Sequence, residues 1–202
     1  MRLQIGGKPP ATPDFTPKED GWTPLKEPSP WVLTLIATPI GILAAALIAT
    51  GWGGSNVQIE VGSSFLVWMV AAIVIGLPAL FAVHELLHAF GYQGFGFTPS
   101  TMIFIWPSKL LVIAITLDAL RRNRLLLVYM LPLLVISVLP LIVCRSIGVT
   151  PVPLMLASTV NGLIAGGDIF CFFLILLQVP RNAMVRNQGP ATWWKVVGRP
   201  SI

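Results

Sequence analysis

From Ser64 to Val83 the chain runs for twenty residues without a charged side chain, and the next five residues read His-Glu-Leu-Leu-His. A run of that length and polarity matches the roughly 20 residues an α-helix needs to cross a hydrocarbon layer. The helix it implies ends by placing two imidazoles and a carboxylate where water is scarce. A carboxylate at a bilayer centre costs about 2.5–3.5 kcal/mol even on lenient insertion scales, so such a group needs a partner or a wet cavity.

The rest of the composition fits that setting. Of 202 residues, 55% are hydrophobic and 10% charged, and the mean hydropathy is +0.81. A soluble domain carries nearer a quarter charged residues, so the expectation is an integral membrane protein in contact with the lipid bilayer. The net charge of +5 reflects 13 Lys and Arg against 8 Asp and Glu. No aromatic-rich basic patch or nucleic-acid motif accompanies it, and nucleic acid is excluded as a partner. Cys144 and Cys171 fall in different apolar runs and read as small packing residues rather than a disulfide framework.

Four segments are apolar enough to span: about 31–50, 64–92, 124–144 and 152–178. Pro39, Pro78, Pro132 and Pro140 lie inside them, which membrane helices tolerate. With the amino terminus inside, twelve of the thirteen basic residues fall on the cytoplasmic side and only Arg145 falls outside. The excess of positive charge on one side therefore predicts four spans with both termini cytoplasmic, in a prokaryotic cell membrane. Trp193 and Trp194 beside Lys195 read as an interfacial anchor. The fold class expected is an all-α integral membrane protein with about four transmembrane helices and a short membrane-associated β-hairpin after the second. Residues 1–30 would be a Pro-rich flexible cytoplasmic tail, 31–180 the four-helix transmembrane domain, and 181–202 a cytoplasmic or interfacial tail.

The hairpin is expected at TMIFIWPSKLLVIAIT, 101 to 116, where β-branched residues flank Pro107, Ser108 and Lys109. An open strand cannot face lipid, so it must line a cavity or lie on protein. A re-entrant helix is the competing reading.

His84 and His88 are the only histidines in the chain. One helical turn apart, they share a face and can grip one zinc ion, while Glu85 beside them is free to act on a metal-bound water. A catalytic zinc usually takes a third protein ligand, which here must be Cys, Asp or Glu. Asp168 is the best candidate and Cys171 the second. His84 lies eight residues from the cytoplasmic end of its span and Asp168 ten from its own, so at 1.5 Å per residue both sit roughly 12–15 Å deep. In NGLIAGGDIF, 161 to 170, Asn161 shares a face with Asp168 and reads equally well as a substrate contact or as a helix–helix hydrogen bond. Gly162 and Gly166 would let another helix approach closely.

These motifs, HELLHAFGYQGFG, YMLPLLVISVLPL, and NGLIAGGDIF followed by LLQVPRNAMVRNQG, resemble a group of membrane zincins distantly similar to site-2 proteases, the zinc-dependent intramembrane proteases; the likeness runs from about Leu80 to Gly189. It implies zinc held by His84, His88 and Asp168, water activation by Glu85 as catalytic residue, and substrate positioning by Asn161. It departs from the site-2 pattern in that Gly-Gly precedes Asp168 and Ile169 follows it.

The expected activity is zinc-dependent hydrolysis of peptide bonds in membrane-embedded or membrane-proximal substrates, either a membrane protein or a peptide. The 101–116 hairpin would hold an unwound substrate by strand addition, and Gly94 and Gly96 would let it move. Two alternatives are a non-catalytic membrane protein with a structural metal site that acts through partner binding, and a zinc hydrolase of a non-peptide, lipid-linked substrate.

Overall fold

The computed structural model describes residues 1–7, 10–12, 14–53, 64–106 and 111–197. Its frame is a bundle of apolar helices: α1 (Pro30–Gly51), α2 (Phe65–Gly91), α3 (Arg122–Ser146), α4 (Val152–Ile164) and α5 (Gly166–Gln178). The first three are long and apolar enough to cross a membrane, and α4 with α5 makes a fourth if that bent pair is one span. Their outward faces carry Trp31, Leu35, Leu66, Trp68, Ile75 and Leu139, all exposed. None of the most apolar stretch of α2 is buried within the protein. Such continuous exposed apolar surface is compatible with a membrane protein.

Small residues decide how the helices approach. Pro30 starts α1 as its first helical residue, where its missing N–H costs nothing. Along α1, Gly41 faces Leu163 of α4, and a Cβ on Gly162 would lie 2.5 Å from Ile48 Cδ1. Gly166 packs on Ala37 and Gly41. The glycines at 162 and 166 thus admit α1 against α4 and α5. The expected single helix over 152–178 is corrected: it bends by 45° at Ala165, so Asn161 and Asp168 lie on different helices.

Two sheets flank one end of the bundle, so the all-α expectation is also corrected. The first orders β1 (Arg2–Ile5), β3 (Thr101–Trp106) and β4 (Leu111–Thr116), with β1 parallel to β3 and β3 antiparallel to β4. The described residues on both sides of the expected hairpin are therefore strand. Pro107, Ser108 and Lys109 lie outside the described residues, as do Lys8 and Arg199, which entered the charge argument. The second sheet orders β2 (Thr23–Pro24), β7 (Ala191–Val196), β6 (Ala183–Gln188) and β5 (Leu120–Arg121), all antiparallel. Gly189, at φ 59°, opens its two-residue loop between β6 and β7, a position glycine fills without strain.

The two terminal segments expected as tails are thus packed. Residues 1–30 supply β1, β2 and the buried Phe15 and Leu25, and the 181–202 segment supplies β6 and β7. Leu25, Leu120, Val179, Ala183 and Val185 join Ala89, Leu126 and Ile175 in one apolar core where the second sheet meets the bundle. The N-terminal segment has no core of its own and its strands pair with distant partners, whereas the C-terminal segment carries its own hairpin of β6 and β7.

Candidate metal centre

The final turns of α2 bring His84, Glu85 and His88 together, all buried. Their ligand atoms lie within 4.8 Å of one another, close enough to hold one metal ion. From α5, Asp168 reaches the same point: its Oδ2 lies 3.0 Å from His84 Nε2 and its Oδ1 3.2 Å from His88 Nε2. The two Nε2 atoms are 3.2 Å apart. The histidines can therefore share a cation with either carboxylate, and Asp168, not Cys171, touches both.

The hydrogen bonds behind the rings fix their tautomers. Asn161 Nδ2 donates to Pro132 O at 3.1 Å and to Ser137 Oγ at 2.9 Å, which leaves Asn161 Oδ1 as acceptor. His84 Nδ1, 2.8 Å from that oxygen, must donate. His88 Nδ1 lies 2.9 Å from Val128 O, a carbonyl, and must donate as well. When both rings are neutral, with their protons on Nδ1, two Nε2 lone pairs face each other and a carboxylate. Three acceptors converge with no donor between them, and a cation satisfies all three. Ligand atoms about 2.0–2.1 Å from a tetrahedral zinc stand roughly 3.3 Å from one another, and the observed separations of 3.0–3.2 Å match. The donor set fits zinc.

Glu85 is held differently. Its Oε2 accepts the Ala114 backbone N–H at 2.6 Å, and Tyr92, seven residues further on, donates its hydroxyl to Ala114 O at 2.9 Å. The pairing of β3 with β4 leaves the N–H and C=O of Ala114 pointing away from β3. Two side chains of the α2 segment thus occupy one residue of the open edge of β4.

Asn161, left open in the sequence between a substrate contact and a helix–helix hydrogen bond, makes its hydrogen bonds to neighbouring helices. It is fully enclosed, and its amide is spent on His84, Pro132 and Ser137. The same layer includes Ser158, whose hydroxyl donates to Ser137 O, while Trp52 Nε1 donates to Ser158 Oγ. These supports were missed from sequence. A polar residue on an apolar helix was the available signal, but its partner lies on another helix. Gly94 and Gly96 are likewise not loose: with Phe95 they form a left-handed turn at φ 60°, 52° and 76°. A Cβ on Gly96 would stand 2.5 Å from Ala89 O, so the turn is packed against the end of α2.

A buried histidine–glutamate–histidine group on one helix, between helices apolar enough for a membrane, is the arrangement of a zinc peptidase. The chain belongs to the zincin peptidase family: residues 77–184 match the family model described as "Putative zincin peptidase". That span includes α2 from the start of the metal-binding turns through the first residues of β6. Membership implies zinc as the cofactor. No curated protein and no solved structure matches the chain.

Proposed function

We propose that this protein is an intramembrane zinc peptidase, distantly similar to site-2 proteases, that cleaves peptide bonds of substrates within or beside the bilayer. The observation that carries this reading is the convergence of His84, His88 and Asp168 on one point, with Glu85 beside it and outside the closest contacts. His84, His88 and Asp168 would hold the metal. Zinc bound there supplies Lewis acidity and a readily ionised water.

The chain's own residues do the rest. Water adds to the scissile carbonyl and the C–N bond breaks. Glu85 accepts the proton of the attacking water and returns it to the leaving amine nitrogen. Asn161 and Val128 O hold the two imidazoles in the tautomer that keeps Nε2 unprotonated. A transmembrane helix must unwind before its backbone can reach the site, and the open edge of β4 offers such a strand a ladder to join. In the four-span arrangement with both termini cytoplasmic, the site lies toward the cytoplasmic side. The basic residues Arg121, Arg122 and Arg124 at the start of α3 support that orientation.

The test uses zinc-loaded wild type and Glu85→Gln in detergent, each offered transmembrane peptides and a fatty-acyl amide, with products mapped by mass spectrometry. Wild type is expected to cut peptides, and Glu85→Gln to retain zinc while losing about 10²–10⁴-fold in rate. Cleavage of the lipid amide alone would move the substrate class. Equal turnover by both proteins would remove Glu85 from the chemistry.

A further inference from the structure

The sequence stretch YMLPLLVISVLPL puts a proline at 132, inside the third apolar segment. In an α-helix the N–H of residue i donates to the carbonyl of residue i−4, and proline has no N–H to give. The carbonyl that loses its donor at Pro132 is that of Val128. Pro132 nonetheless sits in helical conformation at the end of the first segment of α3, before a wider π turn over Leu133–Val138. The next available N–H, that of Leu133, is spent on Met130 O.

Val128 is 1% exposed, so water does not reach its carbonyl easily. An unpaired buried carbonyl costs about 1–3 kcal/mol. Here the missing donor is His88, whose Nδ1 lies 2.9 Å from Val128 O. The helices are close enough for this because residue 91, near the end of α2, is glycine. A Cβ there would lie 2.8 Å from Val128 Cγ2 and 3.4 Å from Val128 Cα. The histidine satisfies the carbonyl, and the carbonyl fixes the histidine's proton and ring plane.

We infer that Pro132 is a positioning residue of the metal centre: by withholding an N–H it reserves Val128 O for His88 and so holds His88 Nε2 toward the metal. The inference rests on the reading of His88 as a zinc ligand. Pro132 touches neither metal nor substrate. Its carbonyl also accepts from Asn161, the residue behind the other imidazole, so both histidines are braced from one proline. An alanine at 132 would keep that second bond and restore a backbone donor competing for Val128 O.

The test measures zinc affinity by chelator competition on purified protein, with circular dichroism confirming that each variant is folded. Pro132→Ala is expected to bind zinc about 10–100-fold more weakly, the usual loss when a ligand's outer partner is disturbed. Pro140→Ala, in the same helix, is the control, because no described side chain donates to Ile136 O. The decisive variant replaces Pro132 with lactic acid, the ester analogue of alanine, which lacks both the ring and the N–H. Wild-type affinity in the ester and weakened affinity in the alanine variant support the inference. Wild-type affinity in Pro132→Ala overturns it, as does an ester variant that binds as weakly as Pro132→Ala. If Pro132→Ala does not fold, the ester decides alone: wild-type affinity supports the missing N–H, and loss of folding or of zinc makes the ring itself the requirement. His88→Ala separates the two levels: zinc retained there sinks the ligand reading and the inference with it, whereas zinc lost there alongside wild-type affinity in Pro132→Ala sinks the proline's role alone.

Discussion

Asn161 illustrates how a single amide can do structural work for chemistry it never touches. Its oxygen accepts from His84 and its nitrogen donates to Pro132 O and Ser137 Oγ. Replacing it with alanine leaves the buried His84 Nδ1 without its acceptor and removes the bonds to Pro132 O and Ser137 Oγ. Zinc affinity is expected to fall about 10–100-fold, read by chelator competition, with stability lower by about 1–3 kcal/mol. A residue that only touched substrate would raise KM and leave zinc affinity unchanged, so the two measurements separate the roles. That His84, Glu85 and His88 come together was legible from sequence because their spacing on one helix is local, whereas Asp168 could be singled out only by residue type and matched depth. Asn161's partners were not legible: which face of a helix meets which neighbour is settled by packing, and a bend at Ala165 moved Asn161 off the face it was expected to share with Asp168.

Among the elements, the contact of α1 with α4 depends on the absence of a side chain at Gly162. A Cβ there would crowd Ile48 Cδ1 at 2.5 Å and the Ala45 backbone at 3.3 Å. Gly162→Val should cost about 1–3 kcal/mol through overpacking, seen as a lowered melting temperature in detergent. Gly167→Ala should be near neutral, because nothing lies within 4 Å of a Cβ there. The apolar helices could be read from run length alone. The strands at Arg2–Ile5 and Ala183–Val196 were harder. β1 is four residues long and pairs with β3 some hundred positions away, so its partner leaves no local trace. For β6 and β7 the signal existed: Asn-Gln-Gly-Pro separates two runs of strand-forming residues, a hairpin pattern obscured by reading the tryptophans as an anchor.

At the scale of the molecule, the bundle and the charge pattern together predict a direction in the membrane. Single cysteines introduced at Arg145 and Arg181, in a background lacking Cys144 and Cys171, test it with a membrane-impermeant maleimide on intact cells. The cysteine at 145 should be labelled and the one at 181 protected until the cells are opened. The reverse pattern would invert the topology. Labelling of both from outside would change the number of spans. The arginines have a second use that composition could not reveal. Arg124 donates to Gly91 O and Tyr92 O at the end of α2, and Arg122 donates to Leu176 O near the end of α5. Each closes the carbonyl terminus of a helix that carries site residues, where positive charge is favoured.

The grip that Glu85 and Tyr92 keep on Ala114 has a corollary for how such an enzyme stays idle. Under strand addition, an arriving polypeptide competes for the hydrogen-bonding groups those two side chains hold. To register fully along the edge it would have to displace the Glu85 carboxylate from Ala114. Under the proposed mechanism, substrate arrival would then be the event that frees the proton acceptor.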